Sequence, residues 1–88
     1  MSQHPTDFKG SVTDALREVI EREIPESKAD VTGGGGHYSI VVTSPAFAGK
    51  GMLASQRMVY SAITHLMKGD NAPVHAVDSL VTRTPPTA

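Results

Sequence analysis

The chain contains no cysteine. That excludes disulfides and any metal site built from protein thiolates alone. Basic charge is not in excess either: eight Lys and Arg against nine Asp and Glu leave a formal net charge of −1. Tight electrostatic binding of nucleic acid rests on a basic surplus, so bulk charge gives that function no support and only a local patch could. No apolar run approaches the roughly 18 residues that cross a bilayer. The first ten residues, MSQHPTDFKG, lack the basic start and apolar stretch of a signal peptide. The default expectation is a cytoplasmic protein with no membrane role.

What is present fits one small domain. A chain of 88 residues has no room for a separate catalytic domain, and it buries roughly 60–65% of its unfolded surface. Residues 1–10 are polar and read as a loose tail. Val12, Ala15, Leu16, Val19 and Ile20 then recur at helical spacing. Ser11 is the expected cap, with Asp14 as a weak capping box, and Pro25 ends the helix near Ile24. Lys28 to Thr32 is a short strand candidate. Tyr38, Ile40 and Val42 alternate with Ser39, Val41 and Thr43, which predicts a second strand. The four glycines Gly33 to Gly36 between them read as a hairpin turn.

After the loop SPAFAGKGM a second helix is expected from about Leu53. Its apolar stripe includes Met58, Val59, Ala62, Ile63, Leu66 and Met67, with Lys68 near its end and Gly69 as its stop. VHAVDSLVTRT reads as a last strand before Pro85 and Pro86. The order is α-β-β-α-β. A strand, a helix and another strand imply a right-handed crossover, so the last strand should lie parallel to a neighbour. The expected architecture is α+β, a three-stranded mixed sheet with both helices on one face. The domain runs over residues 11–85, and residues 86–88 form a short tail.

The chemistry-bearing residues are few. The glycine run leads into a strand, and no Gly-Lys-Ser or Gly-Lys-Thr follows, which argues against a phosphate cradle. A mobile hairpin tip and a loop that places a neighbouring ligand remain as alternatives. His37 closes the run and His75 opens the last strand. Histidine binds metals and carries protons, but a lone His is more often a surface residue. His4 in the tail and His65, read as an exposed position on the second helix, are assigned to that role. Two histidines do not complete a stable metal site, since zinc takes four protein ligands or three plus water. The remaining ligands would come from a partner. Gly49, Lys50 and Arg57 could meet a phosphate or an acidic partner. The serines sit in no nucleophile elbow and the carboxylates cluster on a solvated helix face, so the chain is not read as an enzyme.

Taken together these pieces resemble the BolA family. The resemblance rests on GHYSIVVTSPAFAGKGMLASQRMVYSAITHLM, then VHAV and the late TRTP. His37 and Tyr38 match a His-aromatic pair. Phe47, Gly49 and Lys50 match Phe-x-Gly-Lys. Gln56 and Arg57, Val59 and Tyr60, His75 and Ala76, and Thr84 and Pro85 follow in order. The match covers roughly residues 11–85 and implies a class II KH-like fold. It implies a partnership with a monothiol glutaredoxin in iron–sulfur trafficking and iron regulation. In that complex a [2Fe–2S] cluster is shared with the glutaredoxin and glutathione. The BolA-like chain supplies the histidine matching His75, and often a second His or Cys from the hairpin loop. No cofactor is expected in the isolated chain, which should be a monomer or weak homodimer. Because a metal-bound imidazole must be deprotonated, binding should weaken as pH falls toward the ordinary histidine value of about 6.5.

The sequence departs from the family pattern twice. Members with a loop cysteine carry Gly-Gly-Cys-Gly, and the corresponding place here, near Gly34, is glycine. His37 is the nearest substitute. The run HAVDSLVTRTP is also one residue longer than usual, which a β-bulge near Asp78 or Ser79 would absorb. Two alternative functions follow from the same residues. One is a nucleic-acid-binding transcriptional regulator using the KH-like fold, although the Gly-x-x-Gly spelling here precedes a strand. Its DNA binding should be weak and strongly salt-dependent. The other is a structural homodimer pairing through an exposed sheet edge.

Overall fold

A computed structural model describes residues 11–86; the two expected tails, and His4, fall wholly or largely outside them. The first helix, α1, spans Val12–Glu23. Ser11 caps it by accepting a hydrogen bond from the Asp14 N–H at 3.2 Å. The capping box is one-sided, because Asp14 turns instead toward Arg17 at 3.5 Å. Leu16, Val19 and Ile20 form its buried stripe, and Ile24 ends it before Pro25 as expected.

Strands β1 (Lys28–Gly34) and β2 (His37–Thr43) form an antiparallel hairpin. Strand β1 runs two residues further than its sequence predicts. Gly33 and Gly34 have poor strand propensity, yet pairing with Tyr38 and His37 holds them in the ladder. The turn is therefore only Gly35 and Gly36, with φ of +63° and +89°. A two-residue loop with positive φ at both positions matches the right-handed twist of the strands.

Helix α2 spans Met52–Ile63, after a 3₁₀ turn at Pro45–Phe47. The apolar spacing predicts a helix through Met67, but the chain tightens into a second 3₁₀ turn at Thr64–Leu66. That turn keeps Leu66 in the core and lets its carbonyl accept from Val74 N–H at 3.1 Å. Gly69 (φ +90°) serves a later turn, not the helix stop, and His65 sits in the 3₁₀ turn, exposed.

Strand β3, Ala76–Arg83, lies parallel to β2, and the sheet order is β1-β2-β3. Helix α1 packs over β1 and α2 over β3, touching each other on one face of the sheet. The α+β, α-β-β-α-β fold is thus as expected. Leu16, Ile20, Ile40, Val42, Val59, Ile63 and Val74 form its fully buried centre.

Buried Ser44 ties four segments together. Its hydroxyl donates to the Pro25 carbonyl at 2.6 Å and accepts from Ala46 N–H at 3.0 Å, while its own N–H donates to the Arg83 carbonyl at 2.9 Å. Side chains also cover backbone groups along both outer strands. Glu21 accepts from Ala29 N–H of β1 at 2.9 Å, and Gln56 donates to the Leu80 carbonyl of β3 at 3.1 Å. Such covers blunt a sheet edge against pairing with another copy. No helix among the described residues is long and apolar enough to cross a membrane.

Candidate functional site

The start of β2 and the start of β3 lie side by side, because the two strands are parallel and His37 pairs with Ala76. That register brings His37 and His75 to one end of the sheet. His75 stands one residue before β3, slightly outside the strand expected to contain it. The Gly36 carbonyl fastens it there, accepting from His75 N–H at 2.8 Å and Ala76 N–H at 2.9 Å.

Gly36 is buried although it sits at a hairpin tip, and His75 is the side chain that covers it. A methyl group added at Gly36 would stand 2.2 Å from Cδ2 of the His75 ring and 3.0 Å from its Cγ. The last glycine of the run is therefore a seat for an imidazole. His75 itself remains exposed, and its ring has no hydrogen-bond partner among the described residues.

His37 shares the helix-free face of β2 with Ser39 and Val41, opposite the buried Tyr38 and Ile40. Its Nδ1 lies 3.1 Å from Oδ1 of Asp78. The expected bulge is there: β3 gains one residue between Val77, paired with Tyr38, and Ser79, paired with Ser39. The extra residue is Asp78. Because of it, Val77 and Leu80, three apart, both pack toward the core. Gly34, the cross-strand partner of His37, has open space around it.

The donor set is incomplete for a private metal site. No group of three or more His, Cys, Asp or Glu among the described residues could hold a metal ion. Two accessible imidazoles at one end of a sheet fit half of a shared site, with the other ligands from outside. Imidazole can replace thiolate on one iron of a [2Fe–2S] cluster, which removes negative charge and raises its potential.

The basic candidates lie elsewhere. Lys50 lines a groove of about 370 Å³ with Phe47, Met52, Gln56, Leu80 and Arg83. Gly49 is in the turn before α2, with φ of +77°. Arg57 is exposed on α2 and does not line the groove. Within this groove the second basic residue is Arg83. Met52, 74% exposed, forms an apolar lip. This groove runs along the later part of β3, and its Arg83 end is about 20 Å from the histidine end at roughly 3.3 Å per residue.

Sequence reasoning placed Asp78 near the bulge but passed over its contact with His37, and it passed over Arg83 and the role of Gly36. Asp78 had a signal, the three-residue spacing of Val77 and Leu80 in a strand. Arg83 and Gly36 acquire their roles only through strand pairing.

Comparison with known proteins agrees with this fold. The family model for BolA-like proteins matches residues 18–86. The chain is similar to the structure of a bolA protein homologue from Coxiella burnetii, with 35% identity, 86% of this chain and 94% of that one covered, and a TM-score of 0.72. It is similar to the BolA domain of SufE1 from Arabidopsis thaliana, with 28% identity, coverage of 89% and 96%, and a TM-score of 0.71. BolA1 from Mus musculus aligns at 27% identity over 97% of this chain and 74% of that one, with a TM-score of 0.68. No curated protein sequence matches.

Proposed function

The chain belongs to the BolA-like protein family, and on that premise we propose that it is a non-enzymatic partner of a monothiol glutaredoxin that shares a [2Fe–2S] cluster. The glutaredoxin and glutathione supply thiolates, and this chain supplies imidazole from His75, with His37 as its second ligand. The observation that carries the reading is the Gly36 seat. It holds His75 at the surface, at the same end of the sheet as His37, with its ring nitrogens unpartnered among the described residues. A chain without cysteine has no thiolate to offer a cluster, and imidazole is a ligand that replaces thiolate on cluster iron. Open space at Gly34 is consistent with His37 standing in for the loop cysteine of other members.

The test mixes the chain with a monothiol glutaredoxin, iron, sulfide and glutathione. A coloured heterodimer is expected, with a spectrum distinct from that of the cluster-bridged glutaredoxin homodimer. An unchanged spectrum with His75→Ala overturns the assignment.

One observation favours a second reading, nucleic-acid contact. The groove holding Lys50 and Arg83 adjoins the N-terminus of α2, where Gly51 offers no side-chain cap and the helix dipole is positive. Two cations imply a salt slope of only about −2 for duplex DNA. Tight duplex binding at physiological salt, lost with Lys50→Ala and Arg83→Ala, would promote this reading over the first.

A further inference from the structure

Strand β3 uses three residues, Val77, Asp78 and Ser79, where β2 uses two, Tyr38 and Ser39. Removing Asp78 on paper leaves every other pair in place: Val77 stays opposite Tyr38, Ser79 opposite Ser39 and Leu80 opposite Ile40. The fold therefore does not need the extra residue. A bulge interrupts the ladder, and its common use is to re-aim a side chain beside a functional site. Here the re-aimed side chain is Asp78, and it meets His37. The side chains are 61% and 55% exposed, so as an ion pair they add little to stability.

The contact does constrain chemistry. A carboxylate only accepts hydrogen bonds, so Nδ1 of His37 must be the donor. In the neutral ring the lone pair is then on Nε2, on the far side of the ring from Asp78. Carboxylates that hold the second nitrogen of a ligating histidine fix its tautomer and orientation in this way.

We propose that Asp78 is a positioning residue for His37: it holds the Nδ1–H and presents Nε2 as the metal-binding nitrogen. This rests on the reading of the histidine end as half of a shared cluster site. The two ligands are then held by different means, His75 by contact with Gly36 and His37 by a hydrogen bond from the neighbouring strand. Ordering both rings before the partner arrives lowers the entropy lost on assembly.

The isolated chain tests the geometry without metal. Long-range ¹H–¹⁵N correlation at about pH 8.5, above the ordinary histidine range, reports which ring nitrogen carries the proton. His37 is expected as the Nδ1–H tautomer. Asp78→Ala, and the chain with Asp78 deleted, should shift it toward Nε2–H without moving the His75 signals, and Asp78→Asn should restore it in part. A wild-type His37 protonated on Nε2 overturns the proposal. The cluster-bridged complex with monothiol glutaredoxin and glutathione supplies the second arm, read by visible circular dichroism and the half-life of the cluster. Asp78→Ala should change the spectrum in the same sense as His37→Ala and shorten the half-life on the order of tenfold. If His37→Ala changes the spectrum and Asp78→Ala does not, the positioning role is refuted while the shared site stands. If neither His37→Ala nor His75→Ala changes it, the shared site fails and the proposal with it.

Discussion

Gly36→Ala separates a hairpin glycine from a ligand seat. The perturbation has two parts. The backbone is at φ +89°, where a side chain costs about 1–2 kcal/mol. The new methyl would also stand 2.2 Å from Cδ2 of His75, against an ordinary contact of at least 3.4 Å. The ring must therefore move by more than 1 Å or leave its rotamer, for about 1 kcal/mol more. The total is about 2–3 kcal/mol, which for a domain of this size lowers Tm by roughly 10–20 °C. Gly35→Ala is the control, because Gly35 has φ of +63° and nothing within 4 Å, so only the backbone part applies. Gly34→Ala, without positive φ or a neighbour, should be neutral or slightly stabilising. The assay is chemical denaturation of the three variants, with Gly36→Ala repeated in a His75→Ala background. A double-mutant cycle should return about 1 kcal/mol of coupling between positions 36 and 75. Equal losses at Gly35 and Gly36, no coupling and unmoved His75 resonances would refute the seat.

Other perturbations test neighbouring parts. Deleting Asp78 should leave a folded chain within about 1 kcal/mol of wild type, because no other strand pair changes; denaturant midpoints check this, and an unfolded product would contradict the register. Gly33→Ala should be far worse than Gly34→Ala, since its methyl meets the His37 carbonyl oxygen at 2.2 Å at φ +127°; expression and thermal melts decide. Ser44→Ala should cost about 1–3 kcal/mol, because its hydroxyl serves Pro25 and Ala46 from a buried position. Gly34→Cys should add a thiolate beside His37 and lengthen the cluster's half-life in the glutaredoxin complex, read by visible absorbance.

Much of the fold was legible from local pattern. Helical spacing at Val12–Ile20 and alternation at Tyr38–Thr43 report which faces are buried, and both elements lie where the spacing puts them. The parallel placement of β3 followed from the helical crossover between it and β2. Even the bulge was legible, because HAVDSLVTRTP is one residue longer than the family's usual run, and the extra residue is Asp78. The end of α2 was not. Leu66 and Met67 continue the helical spacing, yet the tighter 3₁₀ turn satisfies the same burial. Periodicity records which residues are buried, and a helix and a 3₁₀ turn can bury the same ones.

By itself the sequence determined the element order, the absence of any thiolate and the choice of His37 and His75 as candidate metal ligands. Only the tertiary structure decided how those histidines are held. Gly36 becomes a seat and Asp78 a hydrogen-bond partner, the latter 41 positions from His37, because parallel pairing sets the start of β3 against the hairpin tip. The same pairing sends Lys50 and Arg83 to the opposite end, apart from the histidines. Local sequence chooses the functional groups, but contacts between distant segments arise from register, which no short stretch of the chain contains.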